Sequence, residues 1–447
     1  MEFTTDVITQ VWEQLQEQAR QQGIVLEDLP ASEQMSYLYR GLQALGGALT
    51  ARLWEAKDQA LHRGGVVCQQ EGCDQAGRPM RRTARRTVQV TTVFGKVKFR
   101  RGEYQGRCGH RRRPLDEALG LRPGQVGPYL EGLLAEVGAQ VSFERGARWL
   151  ARWFHVEVSP NTVRRATVAW GKRLAQEEQA QYQASVERSG PPAPGPKRVY
   201  GAIDGGFVPV RKGENGAEGW REAKLVAWFQ EGRRYGQGKG SQEDAKPRAV
   251  AVKVAGTLGA KEAFGKVLWA SGEAYGADRA EEVIIVGDGA AWIWDVVTTY
   301  FPQAVEILDW SHAVGRLHQV RRAAWREDDP AGWAWVEVVE AALWDGEVEG
   351  VVQACEVLAQ RGGTGAEEAA KAARYFERHS QRIRYDRFRE AGYFIGSGVI
   401  ESRVKQVVTG RMKVAGAQWT MAGGEAVLKA RCAWLHGDSP LRLPLAA

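Results

Sequence analysis

Three acidic residues occupy places from which their carboxylates could converge. Asp204 ends the apolar run Val199-Tyr200-Gly201-Ala202-Ile203, Asp288 follows the β-favouring run Val283 to Val286, and Glu401 lies in Gly396-Ser-Gly-Val-Ile-Glu-Ser-Arg-Val-Lys405. Carboxylates gathered at one edge bind divalent cations through hard oxygen ligands. Two such ions can activate a water or a 3′-hydroxyl and stabilise the leaving oxygen of an in-line phosphoryl transfer. Gly205, Gly206, Gly287 and Gly289 flank the two aspartates and leave room for another backbone or a phosphate. Acidity alone distinguishes nothing in a chain with 54 Asp and Glu, many of which serve as turn residues and helix caps. The pattern of strand end, strand end and helix singles these three out. A second set, Cys68 and Cys73 with Cys108 and His110, brackets a segment of alternating apolar residues. Ligand pairs at the two ends of a β-hairpin are how a zinc ribbon gathers four ligands tetrahedrally. The single residue between Cys108 and His110 is shorter than usual, which leaves unligated thiols as the other reading.

The elements that must position these residues follow from periodicity. Val283 to Trp294 reads as strand, turn and helix, and in an open α/β sheet the carboxyl ends of buried strands are where ligands bind. Val199 to Asp204, Phe207 to Val210 and Lys224 to Phe229 read as three strands of a meander, residues 259 to 275 as a helix, and Ala304 to Leu308 with Asp309 as a fifth strand. The resulting order of strand, strand, strand, helix, strand, helix, strand, helix is a mixed α/β sheet. Ser311 opens a further helix and residues 313 to 390 read as helical. Trp325, Trp333, Trp335 and Trp344 there suit interhelix packing rather than base stacking. Ser397 is placed to cap a helix running to about Lys413, with Glu401 and Lys405 on one face and Val404, Val407 and Val408 on another.

Upstream, residues 5 to 22 and 32 to 57 read as helices that pack or self-associate. Thr87 to Tyr104 reads as a hairpin turning at Phe94-Gly95. A helical region opens at Pro123. Ser142 to Phe154 and Ser159 to Leu174 then read as a helix-turn-helix, with Ser159 as N-cap and Pro160 at the first helical position. Asn161, Thr162, Arg164 and Arg165 would face a major groove. The proline-containing run from Ser189 to Pro196 marks a domain boundary.

Charge is uneven. The formal net charge is +7, yet between Leu61 and Arg113 fourteen Lys or Arg face three acids, a local excess of eleven. A polyanion such as nucleic acid fits that surface, although many basic runs are simply solvated faces. Five cysteines argue against a disulfide framework, and with no apolar run long enough to span a membrane the expected location is cytoplasmic, in association with the nucleoid.

The blocks AIDGGFVPV, VIIVGDGAAWIW, ILDWSH and GSGVIESRVKQVVTGRMKVAGAQW resemble those of bacterial insertion-sequence transposases of the ISKra group, from about Cys68, through LDEALGL, to the C-terminus. The resemblance implies a multidomain α+β chain with an RNase H-like DDE catalytic domain. It implies Asp204, Asp288 and Glu401 as a triad holding two Mg²⁺ or Mn²⁺, and a synaptic dimer or larger complex acting on terminal inverted repeats and target DNA. Asp309-Trp-Ser-His312 is similar to the Asp or Cys, two residues, His motif that precedes a helical insertion in Mutator-like transposases. The 113 residues between Asp288 and Glu401 suit such an insertion. His312 would touch the scissile phosphate or a metal ligand, or serve only as a hydrogen-bonding residue. Arg403, Lys405, Arg411 and Lys413 would contact phosphates. The family's second knuckle resembles paired cysteines, so Cys108-Gly109-His110 is a departure.

The expected division is an N-terminal helical region (1–60), a zinc-ribbon-like region (61–120), a helix-turn-helix region (121–185), a linker (186–198), a catalytic core (199–312), a helical insertion (313–395) and C-terminal core helices (396–447). Two other classes compete. One is a non-catalytic DNA-binding protein derived from a transposase, which an altered triad would betray. The other is a haloacid dehalogenase-type phosphatase, which needs a second aspartate where Gly206 stands.

Overall fold

A computed structural model describes residues 5–122, 124–188, 194–212, 219–233 and 247–441. The expected linker residues Ser189 to Ala193, and Pro123, lie outside them. The chain is a mixed α+β protein with two sheets among the described residues, and it divides into two compact units, Met1–Thr167 with Ser439–Ala447, and Val168–Asp438. The division falls inside a helix, upstream of the proline-containing run.

In the first unit, helices α1 (Thr5–Gln21) and α2 (Ala31–Arg63) precede strands β1 (Arg81–Thr92), β2 (Gly95–Gln105) and β3 (Arg111–Arg112). Val88 pairs with Phe99 and Val90 with Val97 across the hairpin. These residues face a core with Leu115, Leu121 and Trp54. Two carboxylates of α2 accept from the β2 backbone: Arg100 N–H donates to Glu55 at 2.6 Å and Gly102 N–H to Asp58 at 2.9 Å. Edge donors that could recruit another strand are thereby satisfied. Helix α3 (Pro114–Leu119) leads to α4 (Pro128–Gln140), α5 (Phe143–Phe154) and α6 (Pro160–Glu187). Ser142 and Ser159 cap α5 and α6, accepting from Arg145 N–H and Thr162 N–H. Helix α6 runs well past Leu174, where the sequence pattern ends it, and carries the division between the two units.

The second unit is built on a five-stranded sheet of β4 (Arg198–Pro209), β5 (Trp220–Arg233), β6 (Pro247–Thr257), β7 (Glu282–Gly287) and β8 (Val305–Leu308). Across the sheet the order is β6-β5-β4-β7-β8. The β4–β5 and β5–β6 pairs are antiparallel, and β4–β7 and β7–β8 are parallel. Helices α7 (Lys261–Tyr275) and α8 (Ala291–Tyr300) cover one face, where Val199, Ile203, Trp228, Leu268, Ile293 and Val297 form the core. After β8 the chain forms α9 (Trp310–Ala324), α10 (Pro330–Trp344), α11 (Val348–Gln360), α12 (Ala366–Arg378) and α13 (Tyr385–Glu390). It returns through α14 (Gly398–Val404), a π-helical run over Lys405–Met412, and α15 (Met421–Leu435).

The sequence reading of the first three strands needs correction. Val199–Asp204 and Phe207–Val210 are not two strands: β4 passes straight through Gly205 and Gly206, which pair with Lys224 and Ala223. The glycines accommodate neighbours instead of making a turn. A Cβ on Gly206 would stand 3.0 Å from Val404 and 3.2 Å from Val408. The third strand of the meander is β6, outside the expected elements, in which Val250, Val252 and Val254 alternate.

Candidate functional site

Parallel pairing of β4 with β7 ends at Ile203 opposite Gly287. The next residue on each strand is Asp204 and Asp288, so the two acids leave adjacent strands at one level of the sheet. Asp204 shares its face of β4 with Gly206, and Gly206 lies against Val404 and Val408, which brings the α14 segment with Glu401 over the same face. Gly205 N–H donates to Asp204 Oδ1 at 2.7 Å, and Ala290 N–H donates to Asp288 Oδ1 at 2.9 Å. Burial raises the Asp204 carboxyl above the ordinary range. The Gly205 N–H and His312 oppose the rise, while the charges of Asp288 and Glu401 add to it. The three acids and His312 therefore share one electrostatic neighbourhood.

A fourth acid organises that neighbourhood. Asp309 is fully buried and caps α9. Its Oδ1 accepts from Ser311 Oγ, from His312 N–H at 2.9 Å, and from His312 Nδ1 at 2.8 Å. Its Oδ2 accepts from the Ser397 N–H ahead of α14. Trp310 N–H adds a bond to Ile395 C=O at 2.9 Å. One carboxylate thus ties the start of the helical insertion to its end. Burial alone would raise Asp309, but hydrogen bonds from the His312 ring, Ser311, the His312 N–H and Ser397 outweigh it and hold the group down at about 2. The bond to Asp309 raises His312 above its ordinary value; burial opposes this, and the charges of Asp309, Asp288 and Asp204 reinforce it. Ser311 Oγ also reaches Glu401 Oε1 at 3.4 Å. Helix α9 is thus capped by Asp309, not by Ser311, and Ser397 heads α14 without a side-chain capping bond.

The insertion touches the site a second time. Tyr375 on α12 donates to Asp288 C=O at 3.1 Å, and Tyr385 on α13 donates to Leu308 C=O at 2.8 Å. Gly289, at φ +91, has the Tyr375 hydroxyl where a Cβ would need room. Neither tyrosine is marked by any motif. The tryptophans of the insertion serve packing: Trp344 meets Trp310 edge-on, Trp325 lies against Trp335, and Arg321 stacks over Trp333.

The four expected phosphate contacts separate. Lys405 and Lys413 are exposed, and Arg403 is half-buried with a bond to Gln406 Oε1 at 3.0 Å. Arg411 is corrected: it is only 2% exposed, lies over the Trp419 ring at 5.2 Å, and burial, reinforced by Arg431, lowers its guanidinium to about 10. It falls four residues after the buried Val407, so helical spacing already pointed inward.

In the first unit, Cys68, Cys73, Cys108 and His110 offer ligand atoms that all lie within 4.8 Å of one another, a group able to hold a metal ion. Gly109, at φ +82, turns the chain tightly between Cys108 and His110, so that one intervening residue suffices to bring both ligand atoms into the group. Gly106 leaves room for the Cys108 sulfur, 2.9 Å from where its Cβ would be. The His110 N–H is the main cause of a Cys108 thiol lowered to about 7. On α6, Asn161, Arg164 and Arg165 are exposed, Arg164 Nε donating to Asn161 Oδ1 at 3.0 Å, whereas Thr162 is half-buried against Ser159.

Fold and sites define a mixed α+β protein with an acidic sheet-edge site and a separate cysteine–histidine cluster. The chain belongs to the uncharacterised protein family UPF0236, whose model matches residues 72–442. That span includes Asp204, Asp288, Glu401, Cys73, Cys108 and His110. No curated protein matches the chain. Among the described residues, no helix is long and apolar enough to cross a membrane.

Proposed function

We propose that this protein is a DDE transposase whose second unit is an RNase H-like catalytic domain interrupted by the helices α9 to α13. The observation that carries the reading is that Asp204 and Asp288 leave the ends of paired parallel strands within electrostatic reach of Glu401, which comes from beyond the insertion. The strand order, with three antiparallel strands followed by two parallel ones, supports it.

The donor set is hard oxygen, which fits Mg²⁺ or Mn²⁺. Asp204, Asp288 and Glu401 would hold two such ions, whose chemistry when bound is to activate a water or 3′-hydroxyl and stabilise the leaving oxygen. The chain's own residues set the stage. Asp309 fixes the His312 ring and the approach of α14, and the charge of His312 acts on Asp204 at the acidic rim. Asn161, Arg164 and Arg165, and Thr162 at the same helix start, read terminal inverted repeats. Arg403, Lys405 and Lys413 contact phosphates. The cysteine–histidine cluster has the soft and borderline donors of a structural Zn²⁺ site. A dimer or larger assembly pairs the two element ends.

The test is cleavage and strand joining on labelled DNA carrying the element's ends, with Mg²⁺ or Mn²⁺, comparing the native chain with Asp288→Ala. Metal-dependent product from the native chain alone is expected. Repeat-specific binding without cleavage by either protein, on paired ends, would refute catalysis and leave a non-catalytic DNA-binding protein.

A further inference from the structure

The basic stretch from Leu61 to Arg113 is not a uniform charged surface, because the fold sorts its cations. Arg101 is 3% exposed and bonds Glu103 at 3.0 Å and Asp116 at 2.9 Å. Arg86 and Arg113 both reach Glu103 at 3.1 Å. Arg112 pairs with Glu117, and Arg85 lies 3.7 Å from Glu55. These five are internal or partly neutralised. A different group remains on β2.

Lys96, Lys98 and Arg100 alternate along the strand opposite Thr91, Gln89 and Thr87. Alternation places all three side chains on one face of the hairpin. The apolar residues between them, Val97 and Phe99, face the core. All three cations are exposed, and none has an acidic partner among the described residues. Glu55 is spent on the Arg100 backbone N–H and on Arg85. The face is therefore a row of free cations bordered by neutral hydrogen-bonding side chains, with no large apolar residue in the row.

We propose that this face of the hairpin, through Lys96, Lys98 and Arg100, is a binding surface for the phosphate backbone of duplex DNA, independent of sequence. Alternate strand residues are about 6.8 Å apart, so the row spans about 14 Å. Phosphates of one duplex strand recur every ~3.4 Å along the axis, so the row covers the rise of about four of them. Long flexible cations and neutral hydroxyl and amide groups engage phosphate oxygens without reading bases. A membrane would require an apolar anchor as well as charge. The proposal deepens the DNA-handling reading above and rests on it, but it concerns affinity, whereas α6 concerns sequence and the acidic rim concerns cleavage.

The test compares the full-length chain with the triple variant Lys96→Gln/Lys98→Gln/Arg100→Gln. Binding of repeat-end and unrelated duplexes is followed by fluorescence anisotropy from low to moderate KCl, and binding to vesicles of anionic phospholipid by co-sedimentation. The control triple Arg20→Gln/Arg326→Gln/Lys371→Gln removes the same charge from exposed residues that already pair with acids. Each phosphate neutralised contributes about 0.9 to the slope of log affinity against log salt, so the slope should fall by about 2.7 in the hairpin triple and much less in the control. The affinity loss should be equal on both duplexes. An unchanged slope, a loss confined to the repeat duplex, or a loss seen only on anionic vesicles would overturn the proposal. None of these would touch the catalytic reading, whose failure is absence of cleavage by a chain that still binds DNA.

Discussion

Asp309→Asn keeps the shape of the buried side chain and removes its charge. The native carboxyl is lowered from 3.8 to about 2, and at about 1.4 kcal/mol per pKa unit this is worth about 2–3 kcal/mol at neutral pH. An amide cannot accept on both sides. It must turn its NH₂ either toward Ser397 N–H or toward the His312 and Ser311 donors, leaving a buried donor unmatched for a further ~1–2 kcal/mol. The sum, about 3–5 kcal/mol, corresponds to a fall in melting temperature of roughly 6–20 °C for a unit of this size. The folded pKa lies below the unfolded one, so this stabilisation is present above about pH 4, has fallen to roughly half by pH 3, and is lost as pH drops through 2. Thermal melts of the native chain and the Asp309→Asn variant at pH 7 and pH 3 therefore show a gap that narrows in acid. A gap under about 1 °C at pH 7, or one that stays constant between the two pH values, would refute the clamp that joins α9 to α14.

Two other expectations concern separate features. Cys108→Ser should lower the bound zinc found by elemental analysis, and chelating the native chain should reproduce the loss of stability in the first unit; a native chain purified without metal would count against the cluster as a metal site. Gly206→Val forces branched carbons against Val404 and Val408, where even a Cβ stands at 3.0–3.2 Å. It should displace α14 and cost about 1–3 kcal/mol, with cleavage lost and DNA binding kept, whereas retained cleavage would show that Glu401 tolerates such a shift.

Much of the second unit was legible because Val283 to Val286 and Val199 to Ile203 are short apolar, β-favouring runs bounded by turn signals, as strands covered on both faces require. The Gly205-Gly206 pair misled, since glycine marks either a turn or a close approach, and only the partner across the gap decides which. The alternation of Val250, Val252 and Val254 in β6 is itself a strand signal. The zinc-like pairing could be read from spacing on either side of a hairpin, but Gly109's left-handed turn, which makes one intervening residue sufficient, could not. Asp309 and Ser397 are far apart in the chain, and nothing local reveals that a backbone N–H of one segment will need a carboxylate of another. Tyr375 and Tyr385 escaped notice for the same reason.

Those two tyrosines bear on the order in which the protein matures on the ribosome. Synthesis delivers the N-terminal part first, and all five strands of the second sheet emerge before residue 309. The hydroxyls that satisfy Asp288 C=O and Leu308 C=O come later, from residues 375 and 385, followed by Ser397 and Glu401. Every strand of the sheet and both aspartates are thus made before the residues that complete their surroundings. The acidic rim is finished only when the last helices arrive.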